Sequence, residues 1–173
     1  GQAQTGTGKT AAFGIPLLQK IDPKNKKPQA IILCPTRELA IQVSEEIRRL
    51  AKYMHGVKVL PIYGGQDMSR QIRSLKGGVQ IIIGTPGRIT DHLAKGNFNP
   101  DTIRTLIIDE FDKSLEFGFH DEMAEIITQL PGLKKRVLLS ATDAEEIPRF
   151  TGLNRTIKLN FLSDIPAEAP RLT

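Results

Sequence analysis

Short apolar runs alternate with amphipathic stretches along this 173-residue chain. The runs at 30–34, 57–63, 79–83, 106–108 and 137–139 are rich in Ile, Leu and Val and bounded by Gly, Pro or polar residues. Unbroken apolar runs of this length fit strands buried on both faces, as in parallel sheets. Between them the period changes. Over 37–53, Leu39, Val43, Ile47 and Leu50 fall on one face of a helix, leaving Glu45, Glu46, Arg48, Arg49 and Lys52 to solvent. Further helices are predicted over 67–76, stopped by Gly77 and Gly78, and over 86–95, opened by Pro86 and stopped by Gly96. Another runs over 121–130, ahead of Pro131 and Gly132. A helical pattern over 8–21 contains Pro16, where a kink tolerated by packing is expected. Strand–helix alternation of this kind implies βαβ units and an α/β sandwich with a mainly parallel central sheet. The segment 22–28, with Lys24, Lys26 and Lys27, reads as a solvated loop. From Asn160 periodicity is lost and Pro166 and Pro170 appear, so 1–159 reads as one domain and 160–173 as a terminal linker.

Composition narrows the class without naming a function. Apolar residues make up 39% and charged residues 25%, as in ordinary globular domains. No apolar run approaches the ~20 residues that span a bilayer, so no membrane association is expected. The lone cysteine, Cys34, can form neither an internal disulfide nor a zinc cluster, which points to a reducing, cytoplasmic setting. The three histidines, His55, His92 and His120, lack metal-ligand spacing and read as surface or helix residues. The net charge of +5 is uneven: 1–86 carry 13 Lys/Arg against 5 Asp/Glu, and 87–173 carry 11 against 14. A basic half suits an anionic partner such as nucleic acid, although a solvated surface explains the same numbers.

The chemistry begins at the first residues. In Ala3-Gln4-Thr5-Gly6-Thr7-Gly8-Lys9-Thr10, Gly6 and Gly8 let backbone N–H groups curl around a phosphate without a Cβ in the way. A helix starting near Gly8 would aim its positive end at the same point. Lys9 could bridge β- and γ-phosphates, and the Thr10 hydroxyl could ligate Mg²⁺. The bland alternative is a Gly-rich turn that opens a helix. A second element, Leu106-Ile107-Ile108-Asp109-Glu110, is a buried strand ending in paired acids. Asp109 could hold Mg²⁺ and Glu110 could orient and deprotonate an attacking water, whereas acids after a strand are also ordinary helix caps.

With these motifs in order, the chain resembles the first RecA-like domain of a DEAD-box RNA helicase. The phosphate loop and Asp109-Glu110-Phe111-Asp112 match that family's nucleotide motifs. Pro35-Thr36-Arg37-Glu38-Leu39-Ala40, Gly64-Gly65 and Thr85-Pro86-Gly87-Arg88 resemble its RNA-facing motifs, and Ser140-Ala141-Thr142 its coupling motif. Two positions depart from the pattern: Ala3 stands where Gly is usual, and Phe111 where the family's namesake has Ala. The second puts local packing in question. The resemblance implies a RecA-like P-loop three-layer sandwich and the cofactors ATP and Mg²⁺. Thr5, Gly6, Thr7, Gly8, Lys9 and Thr10 would bind nucleotide, Thr10 and Asp109 the metal, and Lys9, Asp109 and Glu110 would carry catalysis. RNA would lie on Pro35, Thr36, Arg37, Glu38, Gly64, Gly65, Thr85, Pro86, Gly87 and Arg88, with coupling through Asp112, Ser140 and Thr142.

Free N–H groups at helix starts after strands suit such phosphate contacts, while Thr36 and Thr85 can equally be simple caps. Gly64-Gly65 can equally be a plain turn, and Ser140–Thr142 an ordinary Ser/Thr turn. Backbone contacts and few aromatic rings imply binding without sequence specificity. Because the chain opens inside the loop pattern, it is expected to be a piece of a longer protein. The first strand, the adenine-recognition segment and a second RecA-like domain would lie elsewhere in that protein. ATP-dependent RNA unwinding or remodelling would then belong to the parent, with this piece alone inactive. Two alternatives stay open: a non-hydrolytic, ATP-switched RNA clamp, and a P-loop DNA helicase or translocase.

Overall fold

The computed structural model describes the backbone of residues 2–141 and 158–159 and the side chains of 8–141. Among these described residues six strands form one sheet: β1 (Ala30–Leu33), β2 (Val59–Ile62), β3 (Ile81–Gly84), β4 (Thr105–Ile108), β5 (Lys135–Leu139) and β6 (Lys158–Leu159). Their order is β2-β3-β1-β4-β5-β6, and every pairing is parallel. The helices are α1 (Gln2–Lys20), α2 (Arg37–Leu50), α3 (Met68–Lys76), α4 (Pro86–Ala94), α5 (Phe111–Glu116) and α6 (His120–Thr128), with a 3₁₀ turn at Pro100–Thr102.

The sheet has helices on both faces, and its strand residues divide between them by parity. Ala30, Ile32, Cys34, Ile81, Ile83, Ile107, Val137 and Leu139 pack with α1 and α2 through Phe13, Leu17, Val43 and Ile47. Ile31, Leu33, Ile82, Leu106, Ile108 and Leu138 pack on the other face with Leu75, Ile89, Leu93, Phe111, Met123 and Ile126. Burial on both faces is why these strands read as unbroken apolar runs. Gly84 ends β3 at a close approach. A Cβ there would sit 2.6 Å from the Ile62 carbonyl of β2.

The strand order places the functional end. From β1 the chain runs through α2 to the edge strand β2, whereas from β4 it runs through α5 and α6 to β5 on the other side. Connections therefore diverge between β1 and β4, and a crevice at the carboxyl ends of those strands is where open α/β sheets bind ligands. Cys34 and Asp109 lie there. Their N–H groups bond to Gly84 and Leu33 carbonyls at 2.9 Å each.

Three expectations need correction. The helix predicted from Gly8 begins at Gln2, so Thr5, Gly6 and Thr7 lie in α1 and not in an open loop. Nothing in Gln2-Ala3-Gln4 stops a helix, and each glycine costs only about 1 kcal/mol against Ala. α1 also continues through Pro16 to Lys20. Second, α5 was not foreseen. It has six residues and no side-chain cap bond, too short for a periodic signal, and is tied down by buried Phe111 and Ser114. Third, Phe111 raises no packing conflict, since its ring fills the core beneath β4. The linker at 160–173 lies outside the described residues.

Candidate functional site

Lys9, on α1, reaches the end of β4. Its ammonium lies 2.6 Å from Asp109 Oδ1 and 3.6 Å from Glu110 Oε2. Lys9 is only 15% exposed and Asp109 is buried. Burial pushes the Asp109 carboxyl up to about 6, against the downward pull of Lys9. Burial lowers the Lys9 ammonium, but Asp109 and Glu110 outweigh it and leave its pKa raised. Asp109 Oδ2 is buried with no hydrogen-bond partner. A buried carboxylate oxygen left unpaired is the kind of hard oxygen donor a divalent cation takes up, and the buried Thr10 hydroxyl, next in sequence to Lys9, is a second oxygen donor. The residues present therefore fit Mg²⁺.

Glu110 is the only non-Gly residue with positive φ among the described residues, at φ 49°, ψ 52°. For an L-residue this left-handed geometry costs roughly 1–2 kcal/mol. It arises because the chain must leave β4 and enter α5 within two residues, Asp109 and Glu110. Sequence reasoning gave no warning of it. Cys34, also missed as a neighbour of this site, is buried and its thiol is held well above its usual range by burial and by Asp109. It stays protonated and packs as an apolar group.

The other motifs meet at the adjoining strand ends. Thr36 caps α2, its hydroxyl accepting from Leu39 N at 3.1 Å, while Pro35 is buried. Arg37 and Glu38 point outward and lie 3.8 Å apart. The Arg37 guanidinium sits 5.9 Å from the centre of the Tyr63 ring, just ahead of the exposed Gly64-Gly65. Gly65 has φ +87°, which explains Gly at that position. A Cβ on Gly65 would lie 3.6 Å from Arg37 Nη1, and one on Gly64 3.9 Å from Arg88 Nη2. The glycine turn thus runs between the two arginines. Thr85 is the N-cap of α4 without a side-chain cap bond, followed by Pro86, Gly87 and Arg88. Ser140 leaves β5, the neighbour of β4, so it emerges beside the Asp109–Asp112 segment. Thr142 lies outside the described residues.

The DEAD/DEAH box helicase family profile matches residues 1–150. The chain belongs to that family. It is 53% identical over 149 residues to ATP-dependent RNA helicase CshA of Listeria monocytogenes, covering 86% of this chain and 28% of that protein. Identity to DEAD-box ATP-dependent RNA helicase CshA of Bacillus subtilis is 51% over the same length, 30% of that protein. The chain therefore spans about a third of the curated relatives it matches. Among solved structures, a hypothetical ATP-dependent RNA helicase from Sulfolobus tokodaii superposes with TM-score 0.76 at 35% identity, covering 88% of this chain and 44% of that one. The yeast DEAD-box splicing factor Prp28 superposes with TM-score 0.74 at 32% identity, covering 80% and 35%. The fold is the RecA-like α/β sandwich of these helicases. Among the described residues no helix is long and apolar enough to cross a membrane.

Proposed function

We propose that this chain supplies the ATP-binding half and one RNA-binding face of an ATP-dependent RNA helicase. The observation that carries the proposal is the convergence, at the carboxyl ends of adjacent strands, of a Lys9–Asp109–Glu110 cluster with the Arg37, Gly64-Gly65, Arg88 group beside it. Triphosphate would bind along Thr5, Gly6, Thr7, Gly8, Lys9 and Thr10. Lys9 would then leave Asp109 for the phosphates, and the first turns of α1 would open to free their N–H groups. Thr10 and Asp109 would hold Mg²⁺, which supplies charge neutralisation to the phosphate oxygens when bound. Glu110, 29% exposed in its left-handed turn, would orient the attacking water and accept its proton. Ser140, Thr142 and Asp112 would link hydrolysis to movement of the strand ends.

RNA would contact the helix starts at Pro35–Glu38 and Thr85–Arg88 and the Gly64-Gly65 turn, through phosphates and without base readout. The reading places the protein in the cytoplasm, with a second RecA-like domain in the same polypeptide completing both sites. The test is RNA-stimulated ATP hydrolysis by the two-domain protein, with and without Glu110→Gln. Stimulated turnover that Glu110→Gln removes is the expected result. RNA binding that responds to ATP with no ATP turnover in either protein would instead favour a clamp.

A further inference from the structure

Behind the RNA-facing turn lies a buried polar network that the nucleotide site does not use and that reaches Arg88 from inside the protein. Gln71 on α3 and His92 on α4 are both fully buried among apolar helix residues. The Gln71 amide nitrogen donates to the Tyr63 carbonyl at 3.0 Å and to Gln66 Oε1 at 2.6 Å. Because a carbonyl can only accept, this fixes the amide orientation and leaves Gln71 Oε1 as the acceptor. Two donors converge on that oxygen: His92 Nε2 at 2.7 Å and Arg88 Nη1 at 3.3 Å. His92 is therefore the Nε2–H tautomer, and its Nδ1 accepts from Asn97 Nδ2 at 3.0 Å. Arg88 Nη1 also reaches the Gln66 carbonyl at 3.2 Å. Among the described residues, Nη2 has no hydrogen-bond partner and faces Gly64.

We propose that Gln71 and His92 are positioning residues for RNA, locking the Arg88 guanidinium and the Tyr63–Gln66 turn together so that Nη2 and the glycine backbone meet one phosphate as a preformed clamp. The inference rests on the RNA-binding reading above. Its logic is preorganisation. Arg88 is 15% exposed, and a flexible arginine would lose rotamer freedom on each encounter with RNA. Here that freedom is already lost, because one edge of the guanidinium is held from inside the protein and the other is left outward. Gln71 ties to the same anchor the carbonyl that precedes Gly64, so turn and guanidinium move as a unit. Burial and the nearby Arg88 lower the His92 pKa, which keeps the ring in the neutral form the network requires.

The test measures binding of an oligouridylate as a function of salt for the full chain and for Arg88→Ala, Gln71→Met and the double variant, with unfolding midpoints and nucleotide affinity alongside. Losing Arg88 should lower affinity several-fold and flatten the log–log salt slope by about 0.7. Gln71→Met, which keeps Arg88 but not its anchor, should reproduce most of that loss with nucleotide affinity unchanged. The double variant should be no weaker than Arg88→Ala. Independent additive losses, or a folded Gln71→Met variant with normal RNA affinity, would overturn the positioning role. If Arg88→Ala itself leaves RNA binding intact, the RNA face is what fails. Two-bond nitrogen NMR of the unmutated protein needs no variant. It should show His92 as the Nε2–H tautomer at neutral pH; an Nδ1–H ring or an imidazolium would overturn the network.

Discussion

Replacing Lys9 by Met should make stability depend on pH in a way the parent's does not. Asp109 is buried, its Oδ1 lies 2.6 Å from the Lys9 ammonium, and its carboxyl titrates at about 6 with that partner present. An unfolded Asp titrates near 3.9, so the native state binds this proton more tightly. Between pH of about 4 and 6 the parent's stability therefore falls, by about 3 kcal/mol in all, and above 6 this group adds no further slope. Without Lys9 the carboxyl keeps its proton to higher pH. The pair's attraction, about 6 kcal/mol at an effective dielectric of about 20, exceeds the ~3 kcal/mol needed to carry the pKa from 6 to 8. In Lys9→Met the fall should thus continue past pH 6 at about 1.4 kcal/mol per pH unit. The variant should match the parent's slope at pH 5, trail by about 1.4 kcal/mol more at pH 7, and by about twice that at pH 8. Urea unfolding at these pH values, with chelator present, reads the gap directly. Parallel stability curves for the two proteins from pH 5 to 8 would refute the coupling.

Substitutions at two further positions separate stability from function. Glu110→Gly should be more stable than Glu110→Ala by about 1 kcal/mol, because only Gly sits at φ 49° without strain, yet both should abolish ATP turnover in the two-domain protein; thermal unfolding and phosphate release measure the two effects. A Cβ at Gly8 meets nothing within 4 Å, so Gly8→Ala should raise stability by roughly 0.5–1 kcal/mol while weakening nucleotide binding, where that Cβ would block the phosphates. Unchanged nucleotide affinity in Gly8→Ala would argue against the phosphate-wrapping role.

The sheet was legible because its strands are buried on both faces, so Ile31-Ile32 and Ile81-Ile82-Ile83 announce themselves without alternation. The amphipathic helices were legible for the complementary reason. Thr36, Asp67 and Pro86 stand at helix starts, and the predicted boundaries of α2, α3 and α4 lie within three residues of those observed. What escaped were features decided by tertiary contact. Lys9 reads as a loop charge until β4 delivers Asp109 beneath it. Glu110's left-handed backbone follows from the join between β4 and α5, not from its own preference. His92 sits in the last turn of α4 with Asn97 as its near-sequence partner, and its role depends on Gln71, which is 21 residues away. A polar residue on the apolar stripe of a helix, beside Ile89 and Leu93, was the one available hint.

The central claim is that this chain carries half of each site. The γ-phosphoryl transition state spreads negative charge over oxygens that Lys9, Thr10 and Asp109 can meet from one side only. Were an arginine finger supplied by a second domain, its absence alone would cost on the order of 10³–10⁵ in rate. The direct measurement is ATP turnover by residues 1–173 alone and by the same residues joined to a second RecA-like domain, each with and without RNA. The divided site predicts negligible turnover by the isolated chain under both conditions and RNA-stimulated turnover by the joined protein. Robust, RNA-independent hydrolysis by residues 1–173 alone would contradict it.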